Sequence, residues 1–174
     1  SKAYMTATSN VIDEEKMAIV LQEVCGRAYG DRFYPAISGV ARSINFYPIE
    51  PEKPEDGIAN VAFGLGKYIV DGGQNLRFSP KYPQKILQLS NPEMALQETQ
   101  RFFYALDLNT DSYTPSIDDG KNLLKLRIKE AEKDNSLKHI ASTYDFHNQV
   151  LRDGLNYEGK KVITFANILT HKVF

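Results

Sequence analysis

The chain has 174 residues, 42% of them hydrophobic and 25% charged, with 21 Lys+Arg against 22 Asp+Glu and a formal net charge of -1. That length suits a single domain, and so even a charge balance, without any Lys/Arg block, argues against nucleic acid as the main partner. Uninterrupted apolar runs are no longer than five residues, as at Met17–Leu21, against the roughly 20 that a membrane-spanning helix requires, so no membrane partner is expected.

The first 15 residues combine Ala, Met, Glu and Thr with few breakers, and Tyr4, Thr8, Val11 and Ile12 fall on helical spacing, which reads as a helix. Met17 to Val24 is a compact Ile/Val/Leu run that reads as a buried strand. Turn residues and charges make Gly26 to Pro35 a loop, and a second strand follows from Ala36 to Tyr47, antiparallel to the first. Pro48 to Gly57, with three prolines, three glutamates and an aspartate, reads as an exposed irregular connection. Ile58 to Phe63 is strand-like. It runs through Gly64-Leu65-Gly66 into a short helix from Lys67 to Asp71, which Gly72-Gly73 ends.

Leu76 to Phe78 reads as a further short strand, and Pro92 opens a helical turn or two through Gln97. Phe102 to Leu108 is strand-like. Leu124, Leu126 and Ile128 alternate with Lys125 and Arg127 as in a half-buried strand that passes into a short helix near Glu130 to Asn135; a helix through Leu123 to Ala131 is the competing reading. His139 to Phe146 and Val162 to Leu169 complete the strands, with turns at Asp153-Gly154 and Glu158-Gly159. A strand as apolar as the last should be followed by the element it packs on. With only five residues left and no leading methionine, we expect a piece of a larger protein.

The single cysteine, Cys25, has no intrachain partner for a disulfide and reads as a small residue at the edge of the core. With no basic-then-apolar leader and no Asn-x-Ser/Thr sequon, the expected compartment is the cytoplasm. His139, His147 and His171 have no ligand-spaced partners, and Asp56, Asp118 and Asp119 stand beside turn residues where carboxylates cap or turn the chain. Tyr29, Phe33, Tyr34, Phe46 and Tyr47, interleaved with Arg27, Arg32 and Arg42, could stack a base or clamp a charged ligand, form an interface, or simply pack a loop.

The sharpest constellation is Ser38-Gly39-Val40 within the second strand, with Gln22-Glu23-Val24 before it and Gly64-Leu65-Gly66-Lys67 after it. Phosphates are bound by backbone N–H groups at close range, and glycine lets a backbone approach them. Three such places could line one cleft. The simpler reading, which the residues alone favour, is that Gly39 marks a bulge and Gly64 and Gly66 a tight turn. Tyr68 stands where a P-loop requires Ser/Thr, and Ile69 where a dinucleotide fingerprint requires its third glycine, so neither motif is present.

Met17-Ala-Ile-Val-Leu-Gln22-Glu-Val, Ser38-Gly39-Val40-Ala-Arg-Ser and Asn60-Val-Ala-Phe-Gly64-Leu-Gly66-Lys-Tyr-Ile-Val-Asp-Gly72, in that order, resemble the landmarks of the nucleotide-binding domain in the phosphoenolpyruvate synthase and pyruvate phosphate dikinase family. The resemblance covers residues 1 to about 80, and the rest is placed with them by continuity. It implies an α+β, ATP-grasp-like fold, mainly antiparallel sheet with short flanking helices, present here as a single partial domain over residues 1–174. It implies ATP and Mg²⁺ in the parent protein, and phosphorylation of pyruvate through a phosphohistidine on a further domain. Gln22, Glu23 and Val24 match the strand beside the adenine, Ser38 and Gly39 match the Ser/Thr-Gly pair near the terminal phosphates, and Val40, Gly64, Gly66 and Lys67 complete the nucleotide-binding set.

Lys67 departs from the glutamate that many relatives carry after the glycine turn, which reverses a charge near the phosphates. No Asp-x-Glu followed by Gln-x-Arg, the family's pattern for holding magnesium and phosphates, occurs in the chain. Phosphoryl transfer depends on positioning and charge neutralisation, so the isolated chain is expected to be inactive and, with apolar surface uncovered, to self-associate. The alternative reading is a non-catalytic regulatory or protein-interaction module on the same scaffold.

Overall fold

The computed structural model describes residues 18–112 and 122–170. The helix read over residues 1–15, Met17, Asp118, Asp119 and His171 lie outside them. Among the described residues ten strands form three sheets, antiparallel throughout. The first, in order β1-β2-β6-β7, joins β1 (Arg27–Tyr29), β2 (Arg32–Tyr34), β6 (Phe102–Asp107) and β7 (Leu123–Arg127). The second joins β3 (Ser38–Arg42), β4 (Ile58–Ala62) and β5 (Leu76–Phe78) in that order. The third places β8 (Ala141–Asp145) between β10 (Lys160–Ile163) and β9 (Val150–Asp153). Short α-helices among the described residues connect them: α1 (Lys67–Val70), α2 (Pro92–Glu98), α3 (Ile128–Lys133) and α4 (Ala166–Leu169). Mixed α+β with mostly antiparallel sheet is thus the fold class.

One core serves all three sheets. Tyr34 from β2, Phe63 just after β4 and Phe103 from β6 are buried together, with ring centroids 4.8 to 5.4 Å apart in tilted or edge-to-face contact, the arrangement that the ring quadrupole favours. Ala141 and Ile163 bring the third sheet to the same cluster, and Ile128 and Ala131 bring α3. The Tyr34 hydroxyl reaches the edge of this core, where it donates to Asp134 at 2.6 Å while Arg32 pairs with the same carboxylate at 2.6 Å. Burial first, and that hydrogen bond second, push the Tyr34 hydroxyl above the ordinary tyrosine range.

The alternation at Leu124 to Ile128 resolves as a strand that passes into a helix, since every second residue of β7 faces away from the core. Asn91 caps α2 by accepting from the Met94 N–H at 2.7 Å, and Pro92 follows at its first turn. Four expectations need correction. Residues 18–26 form no strand, and Ile19, Val20 and Leu21 are exposed; β3 pairs with β4 instead, Ser38 opposite Ala62 and Arg42 opposite Ile58. The loop read over Gly26 to Pro35 is a hairpin, β1 to β2, turning at Gly30-Asp31 with Gly30 at φ +60°, as a two-residue connection requires.

The strand read to Tyr47 stops at Arg42. There the buried Asn45 gathers the loop, its N–H donating to the Pro54 carbonyl at 2.8 Å and its side-chain oxygen accepting from Tyr47 and Arg77. The strand read over Val162 to Leu169 divides into the end of β10 and α4. Thr164 and Phe165 both donate to the Ile140 carbonyl, and Phe165 adopts a left-handed φ of 49° that turns the chain into helix. The strand β9 was not expected.

Candidate functional site

The landmarks at 38–40 and 64–67 meet because of how β4 ends. In the β3–β4 register Ser38 lies opposite Ala62, so the chain that leaves β4 passes directly beside Ser38. Its hydroxyl donates to the Gly64 carbonyl at 2.7 Å. The Gly64 N–H donates to the Pro35 carbonyl at 3.2 Å and the Leu65 N–H to Tyr104 in β6 at 2.9 Å. The turn is therefore held between the first and second sheets.

Gln100 completes the clamp. It is buried, its Oε1 accepts from the Phe63 N–H at 2.8 Å, and its Nε2 donates to the carbonyls of Phe63 and Phe102 at 2.8 and 2.7 Å. Each of these backbone groups would otherwise lack a partner in the interior. Sequence reasoning missed Gln100. The signal was present as a polar Thr99-Gln100-Arg101 stretch directly before the apolar run of β6.

The glycines of the site differ in what they need. A Cβ on Gly39 would stand 2.9 Å from the Asn60 carbonyl oxygen, so glycine there lets β3 approach β4 closely. Gly64 has φ +86°, and a Cβ would meet Phe103 Cβ and the Tyr104 oxygen at 2.9 Å. Both are explained by packing. Gly66 is not: its φ is -60°, and the nearest atoms to a Cβ would be Ser38 Cβ at 3.8 Å and Oγ at 3.9 Å. A side chain would fit there without strain, and glycine leaves the backbone beside Ser38 open.

Lys67 begins α1 and pairs with Asp71 at 3.3 Å, four residues on, with both side chains partly exposed; such pairs contribute little. Tyr68 turns inward against Tyr104 at 6.2 Å between ring centroids, and burial pushes its hydroxyl above the ordinary tyrosine range. Val40, in β3, is 42% exposed. Gln22, Glu23 and Val24 are the part of the expected site that the fold does not bring in. They lie in exposed chain outside any strand, and no hydrogen bond among the described residues joins them to Ser38 or to the glycine turn.

Two cavities, of about 480 and about 290 Å³, are lined by residues between Ile49 and Glu98, and neither includes 38–40 or 64–67. The larger is lined by Ile58, at the start of β4. The turn is at the Ala62 end, roughly 13 Å away for a strand of that length. Comparison with known proteins found no matching family model, no matching curated protein and no matching solved structure.

The remaining candidates stand apart from this junction. Asp56 accepts from Lys81 at 2.8 Å and from the Lys53 N–H at 2.8 Å, and the Lys81 contact holds its carboxyl below the usual range. Of the aromatic and arginine cluster, Tyr34 is core, Tyr29 stacks on it at 4.5 Å and Arg32 is engaged by Asp134. Phe46 and Tyr47 remain exposed. His139 and His147 occupy separate turns on either side of β8, and Cys25 is exposed rather than at a core edge. Among the described residues no three His, Cys, Asp or Glu side chains are grouped to hold a metal ion. No helix among them is long and apolar enough to cross a membrane.

Proposed function

We propose that the chain is part of the ATP-binding domain, ATP-grasp-like in fold, of a cytoplasmic phosphotransferase resembling phosphoenolpyruvate synthase, whose parent protein phosphorylates pyruvate through a phosphohistidine. The observation that carries the reading is the junction of Ser38 with the glycine turn. Two landmarks 26 residues apart are joined by a 2.7 Å hydrogen bond, and the one glycine there without a packing reason, Gly66, opens its backbone beside the Ser38 side chain. Backbone that is open, rigidly held and close to a hydroxyl is what a polyphosphate chain requires.

In this reading Ser38, Gly39, Val40, Gly64, Gly66 and Lys67 form one wall of the nucleotide site, with Lys67 supplying a positive charge. Facing cationic and magnesium-binding groups come from the rest of the parent. Calorimetry of the intact parent with ATP and Mg²⁺ tests it: binding is expected, and no heat of binding at millimolar ATP overturns it.

The alternative, a non-catalytic interaction module on the same scaffold, draws on two observations. The Ser38 hydroxyl already donates to Gly64, and Lys67 is paired with Asp71. A parent that binds ATP yet forms no acid-labile phosphohistidine decides for this alternative.

A further inference from the structure

Two stretches of the chain each lack what the other offers. Residues 18–24, Ala-Ile-Val-Leu-Gln-Glu-Val, have the composition of a strand and no ladder. All of them are exposed, and Leu21 is 93% exposed. Strand β3 has the converse lack. β4 pairs along one flank of it from Ser38 to Arg42, and no strand among the described residues pairs along the other. Gly39 to Arg42 are exposed there. Such a flank presents N–H and C=O groups as a template for another strand.

The other edge strands carry protection. β1 and β5 have three residues each, β7 carries Lys125 and Arg127, β9 carries Arg152 and Asp153, and β10 carries Lys160 and Lys161. Shortness and charge are what keep an edge from pairing with a further chain. β3 has five residues and a single charge, Arg42, at its last position. It is the edge on which an added strand meets least resistance.

The register of the β1–β2 ladder, carried past Tyr34, sets Glu23 opposite Ser38, Leu21 opposite Val40 and Ile19 opposite Arg42. Within one chain that extension is interrupted where Gly26 would face Pro35, which has no N–H to give, and residues 18–26 leave the ladder there. A segment that arrives from a second copy reaches Ser38 to Arg42 without passing this proline. We infer that the free edge of β3 is an interface between copies of this chain, on which residues 18–24 of a second copy add a strand. Reciprocal exchange of the segment closes a two-fold dimer. Main-chain hydrogen bonds supply the pairing, and Leu21 against Val40 takes apolar surface of both from water. The inference does not rest on nucleotide binding at the glycine turn, and its test contains no nucleotide.

The full chain is used in a Cys25→Ser background, with Leu21→Cys in one preparation and Val40→Cys in another. All three positions are exposed. Opposed residues of an antiparallel pair stand about 4.5–5.5 Å apart at Cα, within the reach of a disulfide. Mixed under oxidised glutathione, the two preparations are expected to form the disulfide between positions 21 and 40 in excess of either homodimer. Leu21→Pro, which removes an N–H from an exposed segment, is expected to weaken dimerisation roughly tenfold in sedimentation equilibrium with an unchanged far-UV spectrum. A monomer at the highest soluble concentration, or undiminished association in Leu21→Pro, overturns the inference. A predominant disulfide between two Val40→Cys chains would show β3 pairing with β3, and also overturns it. With both cysteines on one chain, a disulfide that closes within the chain in preference to one between copies would assign the edge to the chain's own segment, with the same consequence.

Discussion

Gly64 and Gly66 are two residues apart in one turn and answer to different demands. Gly64 combines φ +86° with contacts of 2.9 Å at the position of an added Cβ, so Gly64→Ala is expected to lose about 2–4 kcal/mol of stability in urea unfolding. Gly66→Ala meets nothing closer than 3.8 Å at an α-helical φ, and is expected to stay within about 0.5 kcal/mol of wild type. In sequence the two glycines look alike. What distinguishes them is the strand that packs against one and not the other, which no local pattern records.

Tyr34 gives a second test at this scale. Its hydroxyl titrates above the ordinary value of 10.0 in the folded chain, so the native state holds the proton more tightly than the unfolded state. That stability is complete below pH 10 and is lost as the pH rises through the higher folded value. Melting temperature is therefore expected to fall with pH above about 10, and to fall less steeply in Tyr34→Phe. Equal slopes would contradict the assignment.

Among the elements, the short apolar or alternating runs backed by a turn signal were legible: β4, β5, β6, β7, α2 and the glycine turn all stand within a residue or two of their expected bounds. The misread stretches share a physical cause. Met17 to Val24 has strand composition, but a strand exists only as part of a ladder, and the neighbour it was assigned pairs elsewhere. Tyr29-Gly30-Asp31-Arg32 did carry a hairpin signal that the surrounding charges obscured. Val162 to Leu169 kept its apolar character through a change from strand to helix, which composition does not register.

The most consequential element-scale contact, Gln100 bridging the end of β4 to β6, depends on tertiary placement alone. Gln100→Leu would leave the Phe63 N–H and two carbonyls without partners, and is expected to cost about 3 kcal/mol or more. Hydrogen exchange at Phe63, Gly64 and Leu65 should rise more than at β8 or β10. Uniform acceleration would mean that Gln100 does not act on the turn.

For the whole molecule, the contact of Tyr34, Phe63 and Phe103 ties the sheets to one core, and Phe103 is fully buried. Phe103→Ala is expected to cost about 3–5 kcal/mol while circular dichroism and tyrosine fluorescence still report one coincident transition. Separate transitions would show that the sheets fold independently. The same core positions the site, since it fixes β4 and β6 on either side of the glycine turn. The contact of Ser38 with Gly64 and Gly66 lies where the sequence had suggested a shared wall, whereas the exclusion of Gln22 to Val24 was not anticipated, because it follows from which strand won the pairing with β3.

The most direct measurement is a titration of the intact parent with ATP and Mg²⁺, followed at the backbone amides of this chain's residues and run in parallel on wild type and Gly66→Ala. Reversible shifts are expected at Ser38 to Val40 and Gly64 to Lys67 in wild type, with markedly weaker binding in the variant at equal stability. Unmoved amides at those positions at millimolar ATP, or an affinity indifferent to the added methyl group, would contradict the account.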